Sequence, residues 1–406
     1  MTPPAPMPGA PAGRSRLALL ALGATIGLIS FNLRPALTST GPLLPEIMRD
    51  FGIDVALASS VSTISLLCLG IFGATAARLA RPFGPERVIL ALLVVLTVGT
   101  VLRATGSFAA LVAGMVLAGL GIGIVQVLVP GIMKRDFPDH TGLMTGLYTM
   151  FLCLGGAVGV GAAIPLRDAL GGWQASLMAW GAPAALAALV WVPWAFARRS
   201  PAPRVAHPGR LWRDPLAWSV ACFMGLQSCL AYTTFALLPL ILVQHGSGGD
   251  RAGYVSALAI ATQMVTALVV PSLAARLRHQ SAVAAIAAGA GALGFLGLVF
   301  GPPPLAVVFA TVMGFGLGAT IALAILFMIL RSPDSQTASD LSGMAQSVGY
   351  VIAAAGPLGA GWLRDASGGW TLPAAFFVTV AALTAAAGWR AGRNAHVLAP
   401  RPARGA

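Results

Sequence analysis

Ile29-Ser30-Phe31-Asn32-Leu33-Arg34-Pro35-Ala36-Leu37 places a permanent cation near the middle of an apolar run from Leu17 to Ile47. A run of that length can cross a bilayer. A guanidinium keeps its charge at any accessible pH. Exposing it to lipid costs about 3 kcal/mol on insertion scales. Arg34 must therefore face a protein interior or a wet cavity and meet a polar or anionic partner there.

The rest of the chain repeats that apolar pattern. Of 406 residues, 57% are hydrophobic and only 9% charged, against about 25% charged in a soluble protein. Twelve spans are expected, at roughly 17–44, 56–79, 88–104, 108–132, 141–165, 174–197, 216–243, 252–275, 281–300, 304–330, 338–363 and 371–390. Backbone groups in lipid must be satisfied within their own segment, so the spans should be helices. The fold class is an all-α polytopic membrane protein with the lipid bilayer as its surroundings. The net charge of +13 could point to nucleic acid, but its distribution argues against that. With both termini on one side, nineteen basic residues fall on that side and five on the other, with Arg34 in neither group. The positive-inside rule then makes the basic side cytoplasmic.

The chain also repeats itself. Leu166-Arg167-Asp168-Ala169-Leu170-Gly171-Gly172-Trp173 returns as Leu363-Arg364-Asp365-Ala366-Ser367-Gly368-Gly369-Trp370, 197 residues later. Gly119, Gly121 and Gly123 return as Gly314, Gly316 and Gly318 at an offset of 195, and Leu43-Leu44-Pro45 returns as Leu237-Leu238-Pro239. Two six-helix bundles in parallel topology follow, the layout of carriers whose halves rock about a midplane site. The expected parts are a disordered tail (1–16), a first bundle (17–197), a cytoplasmic linker (198–214), a second bundle (215–390) and a cytoplasmic tail (391–406). The Gly119 triplet lies inside a span with no strand before it. It reads as close helix packing rather than a nucleotide loop.

Four segments carry a family resemblance. Asn32-Leu33-Arg34-Pro35-Ala36-Leu37-Thr38-Ser39 with Gly41-Pro42-Leu43-Leu44-Pro45, Lys134-Arg135-Asp136-Phe137-Pro138, Met224-Gly225-Leu226-Gln227-Ser228 and Ser342-Gly343-Met344-Ala345-Gln346-Ser347-Val348-Gly349-Tyr350 are together similar to the cyanate/nitroimidazole transporters of the major facilitator superfamily. The resemblance covers about residues 17–390 and implies a monomeric secondary transporter of the bacterial inner membrane. Its cargo would be a small anion such as cyanate, or a small planar nitrogen compound. It implies no metal and no organic cofactor. Two superfamily patterns are only partly kept. The usual acid of the loop between spans 2 and 3 is Arg81, with Glu86 and Arg87 as a substitute ion pair for gating. Gly146, Gly155 and Gly159 follow the spacing of the span-5 antiporter motif, but Val160 replaces its proline.

The twelve acids all fall at span ends or in loops, and so do the five histidines. Arg34 thus has no resident counter-ion in its own span, and a ligand could supply the missing charge. The competing assignment gives Arg34 to carbonyls freed by the nearby prolines, or to amides of other helices. The acid-free interior also points to facilitated movement, exchange, or coupling through the substrate's own protonation. Around Arg34 the substrate-binding candidates are Asn32, Thr38, Gln126, Gln227, Tyr232, Gln263, Gln346 and Tyr350, whose amides and phenols can orient a small polar ligand. Tyr148 reads as packing or gate, Cys153 as packing, Arg103 as snorkelling to the outer interface, and Trp173 and Trp370 as interfacial anchors. Two rival functions are multidrug-type efflux, disfavoured by 7% aromatic content, and a membrane-embedded enzyme or sensor, which would need a His, Asp or Cys cluster.

Overall fold

The computed structural model describes residues 16–53, 64, 67–197, 208–244 and 249–398. The expected first tail, part of the second span, linker residues 198–207 and the end of the last tail lie outside the described residues. Among the described residues every regular element is a helix. The first half holds α1 (Arg16–Asn32), α2 (Pro35–Thr38), α3 (Leu44–Phe51), α4 (Ala76–Phe83), α5 (Pro85–Leu102), α6 (Phe108–Asp136), α7 (Thr141–Gly161), α8 (Ala163–Leu170), α9 (Trp173–Ala179) and α10 (Gly181–Phe196). The second holds α11 (Pro208–Leu211), α12 (Pro215–Gln244), α13 (Gly249–Ala274), α14 (Ser281–Phe300), α15 (Ala306–Leu330), α16 (Ser335–Ser367) and α17 (Thr371–Ala391).

Ten stretches among the described residues are long and apolar enough to cross a membrane. The expected eleventh span, α16, is 33 residues long but carries Gln346, Ser347 and Tyr350 through its middle and is not one of the ten. The expected second span falls partly on residues that are not described. The twelve-span count is therefore not reached among the described residues.

The repeated sequence builds repeated structure. Gly171 and Gly368 both end a helix in the left-handed region, at φ +83° and +63°. Their amides close back on Arg167 and Arg364 carbonyls at 3.0 Å in each case. Glycine carries no Cβ penalty there. The basic ends of the halves also correspond. Arg135 reaches Glu86 at the start of α5, at 2.5 Å, and Arg331 reaches Gln280 just before α14. One contact is an ion pair and its counterpart a cation on a neutral amide.

The halves meet chiefly through α7 on α13 and α6 on α16. The residues in contact lie toward the basic end. A Cβ on Gly142 would stand 2.7 Å from the Pro271 carbonyl and 2.9 Å from Ala275 Cβ, and one on Gly131 would stand 2.8 Å from the Ser335 carbonyl. Arg81 is exposed at the end of α4 and lies within electrostatic reach of Asp340 in α16, in the other half. Sequence proximity suggested Arg87 as the partner of Glu86. The structure brings in Arg135, 49 residues away, because α5 and α6 pack side by side, and Arg87 is exposed.

Because Gly142 sits in this seam, Gly142→Val should wedge the basic end apart. Overpacking costs about 1–3 kcal/mol, which is about 5- to 150-fold in the closed-to-open ratio. Spin labels at positions 140 and 276 should move to longer distances in the variant. Gly161→Val, with open space around it, should leave the distances unchanged.

Candidate functional site

Proline has no amide hydrogen to give to a helix interior, and it disfavours the α region in the residue before it. The chain accordingly breaks between α1 and α2, and Arg34 is the residue before Pro35, at φ −117° and ψ −41°. Discontinuous helices of this kind are tolerated in a membrane where they line a cavity or are covered by protein. Other side chains close the break. Asn32 is buried and donates to the Leu28 carbonyl at 2.9 Å. The Thr38 hydroxyl lies 3.1 Å from the Arg34 carbonyl and 3.2 Å from that of Gly156. Both are substrate-binding candidates from the sequence, and in the structure each hydrogen-bonds backbone carbonyls.

The glycines of the partial antiporter pattern serve the same break. Gly155 faces the backbone of Phe31, and a Cβ on Gly159 would stand 2.8 Å from Pro35 Cα. They let α7 approach the broken helix, while Gly146 faces Leu268 across the halves. A packing role accounts for all three.

Arg34 itself is half-buried. Its Nη1 donates to the Tyr232 phenol of α12 at 3.2 Å, a contact between the halves. A guanidinium has five N–H donors. Among the described residues this is the protein hydrogen bond Arg34 makes, and no carboxylate pairs with it. Tyr350, Tyr148 and Cys153 also lie within electrostatic reach. Three of the four tyrosines in the chain thus surround one cation. Cys153 and Tyr350 are 197 residues apart, the offset of the repeat, so they occupy equivalent positions in the two halves. That offset was the available signal for Cys153, and the scarcity of tyrosine was the signal for Tyr148.

Beside this cluster the amides link the halves. Gln126 Nε2 donates to Tyr350 at 2.7 Å, and Gln346 Nε2 donates to the Gln126 carbonyl at 3.1 Å and to Ser342 at 2.8 Å. Among the described residues, the Oε1 atoms of Gln126, Gln227 and Gln346 and the Tyr148 hydroxyl are buried without a hydrogen-bond partner, an arrangement that costs about 1–3 kcal/mol each. Gln227 is held locally by Met224 and Ser228, at 3.0 and 2.7 Å. Gln263 is buried on α13 against Gly318. The structure thus joins Arg34, Tyr232, Tyr350, Gln126 and Gln346, adds Tyr148 and Cys153, and leaves Gln227 and Gln263 in local packing.

A model of the Major Facilitator Superfamily matches residues 20–357. The 2-nitroimidazole transporter of Escherichia coli (strain K12) is 34% identical over 388 residues, 95% of this chain and 98% of that one. The cyanate transport protein CynX of the same organism is 30% identical over 354 residues, 86% of this chain and 91% of that one. A solved structure of the proton:xylose symporter XylE bound to 6-bromo-6-deoxy-D-glucose superposes with a TM-score of 0.74 at 13% identity, covering 92% of this chain and 95% of that one. The chain belongs to the major facilitator superfamily and, within it, is related to nitroimidazole and cyanate transporters. It is a multi-pass membrane transporter, not an enzyme.

Arg103 corrects the sequence reading. It does not snorkel outward but is fully buried. Its guanidinium donates to the Ala36 carbonyl, and it lies 3.4 Å from Thr40 Oγ1, 3.2 Å from Ser39 Oγ and 3.5 Å from the Leu177 carbonyl. The backbone and hydroxyls just after the break in the first span draw it inward. Trp173 is likewise buried rather than interfacial, and donates to Asp50 at 2.6 Å. Arg103→Leu should leave several buried acceptors without a donor, at about 1–3 kcal/mol each. Thermal unfolding in detergent should show a large drop for Arg103→Leu and a smaller one for Arg103→Lys, which keeps a donor. An unchanged midpoint in Arg103→Leu would mean that this arginine holds nothing.

Proposed function

We propose that this superfamily member carries a small solute with an anionic or two-oxygen end, cyanate-like or nitroimidazole-like, across the bacterial inner membrane by alternating access. The observation that carries the reading is the half-buried Arg34 guanidinium, which sits in a helix break of the first half and among the described residues makes one hydrogen bond to the protein, to Tyr232 of the second. A planar guanidinium can form two parallel bonds to a carboxylate-like group, and a nitro group presents the same pair of coplanar oxygens. Phenol rings add flat apolar surface and a polar edge. Tyr232 accepts from Arg34, and Tyr350 accepts from Gln126. Each phenol therefore retains its own O–H to donate. A small planar ligand with an electron-rich end matches that donor set.

In this reading the basic ends of the halves are cytoplasmic, both termini are inside, and the protein works as a monomer. Closure at the basic end corresponds to an outward-facing state. With no acid beside Arg34, coupling would run through the substrate's own protonation, through exchange, or not at all.

Transport assays in liposomes should use a panel of small anions and neutral azoles. Loss of charge-assisted hydrogen bonds worth about 1.5–3 kcal/mol should slow Arg34→Ala about 10- to 100-fold at low substrate concentration. Arg34→Lys keeps the charge but lacks the fork. It should recover monatomic or linear anions better than planar two-oxygen substrates. Equal rates for Arg34→Ala and wild type would remove the basis for the assignment.

A further inference from the structure

At the basic end of the second half, a groove of about 750 Å³ opens along the seam between α12 and α17. Its rim holds Trp212, Arg213, Trp218 and Arg390. Its wall is apolar or small and includes Cys222 and Leu226 from α12 and Leu383 and Ala387 from α17. Along α12 the lining positions 215, 218, 222 and 226 fall on one helical face, and 383, 387 and 390 do so along α17. From Pro215 to Leu226 the groove runs about 16 Å at 1.5 Å per residue, about half of a 30 Å hydrocarbon core. A slot one leaflet deep, apolar along its length and cationic at its mouth, has the dimensions of a lipid.

The rim is ordered by its own contacts. Trp218 donates to the Trp212 carbonyl at 2.9 Å, and the two rings meet edge to face at 5.8 Å. Both indoles are exposed, as suits tryptophan at the membrane–water boundary. The neighbouring acid, Asp214, is already engaged. Its Oδ1 accepts from the Leu216 amide at 2.8 Å and its Oδ2 from the Leu398 amide at 2.6 Å. Among the described residues, neither Arg213 nor Arg390 forms an ion pair, and both are exposed.

We propose that this groove binds one anionic phospholipid. Arg213 and Arg390 hold its phosphate, Trp212 and Trp218 flank the glycerol level, and an acyl chain lies along Cys222, Leu226, Leu383 and Ala387. Phosphate diesters suit arginine because the guanidinium fork matches two phosphate oxygens. The charge complementarity is local, since two cations converge on one opening while the adjacent acid caps a helix. The site lies outside the Arg34 cluster and is independent of what the protein carries.

Native mass spectrometry of delipidated, full-length protein tests this, with phosphatidylglycerol and phosphatidylcholine of matched chains added separately. Wild type should retain phosphatidylglycerol preferentially. R213Q with R390Q should weaken that binding about thirty-fold, at about a tenfold factor or less per basic group near the surface. R213K with R390K should keep most of it and shows that the positions tolerate substitution. Ala387→Phe, which fills the slot and leaves both cations, should also lower retention. The proposal is overturned if wild type holds the two lipids equally, or if either the double glutamine variant or Ala387→Phe binds as wild type does. It is also overturned if inorganic phosphate displaces the lipid at comparable concentration, which would make the rim a free-anion site.

Discussion

A charge that cannot be shed, held where water is scarce, must be met by something. This chain meets that constraint twice around one helix break, in opposite ways. Arg103 is fully buried after the break, bound to carbonyls and hydroxyls of residues 36 to 40. Arg34, the residue just before Pro35, is half-buried and gives one bond to a phenol of the opposite half. Neutral acceptors hold both terminal nitrogens of the first cation, so it behaves as a fixed strut. The second retains donors where field lines are poorly screened. The two cations thus meet the same break with different numbers of protein partners.

The internal repeat explains how such a division arises. Duplicated halves begin with equivalent positions, and each can then be put to separate use. Arg135 on Glu86 and Arg331 on Gln280 are the same contact, with the acid kept in one half and replaced by an amide in the other. Cys153 and Tyr350 are equivalent by offset, and both approach Arg34. The cation has no copy at the matching place in the second half. A symmetric scaffold thus carries an asymmetric site, whose ligand would be held end-on by the first half and along its edge by the second.

Much of this was legible beforehand because it rests on periodic or local signals. Apolar run length exposed the spans, the 197-residue offset exposed the repeat, and a lone arginine in an apolar run exposed a charge that had to be met, while the break itself falls within what reads as one continuous span over 17–44. What escaped depended on which helices lie side by side. Arg103 at the end of a hydrophobic run looks like a residue reaching for the interface. Only the fold, which brings the end of α5 to residues 36 to 40, offers it a carbonyl and hydroxyls to turn toward. Glu86 has an arginine next to it in the chain, yet the useful one comes from α6. Asn32 and Thr38 flank the cation in sequence, and in the structure each also hydrogen-bonds a backbone carbonyl one helical turn earlier.

The amide chain from Gln346 to Gln126 to Tyr350 gives the site a connection to the closed end. Gln126 belongs to the first half, and Gln346 and Tyr350 to the second, so both hydrogen bonds cross the boundary between the halves. Each amide uses its nitrogen and leaves its oxygen buried and unpartnered. Such a contact is held at a cost, because the unsatisfied oxygens would gain partners once exposed. Tyr350 also lies within electrostatic reach of Arg34. A ligand that draws the Tyr350 hydroxyl toward Arg34 would loosen its bond to Gln126, and with it the seam between α6 and α16. Under the proposed function, the same phenol would link occupancy of the cation to the contact between the halves. That link needs no intramembrane acid, only two competing acceptor arrangements of similar free energy.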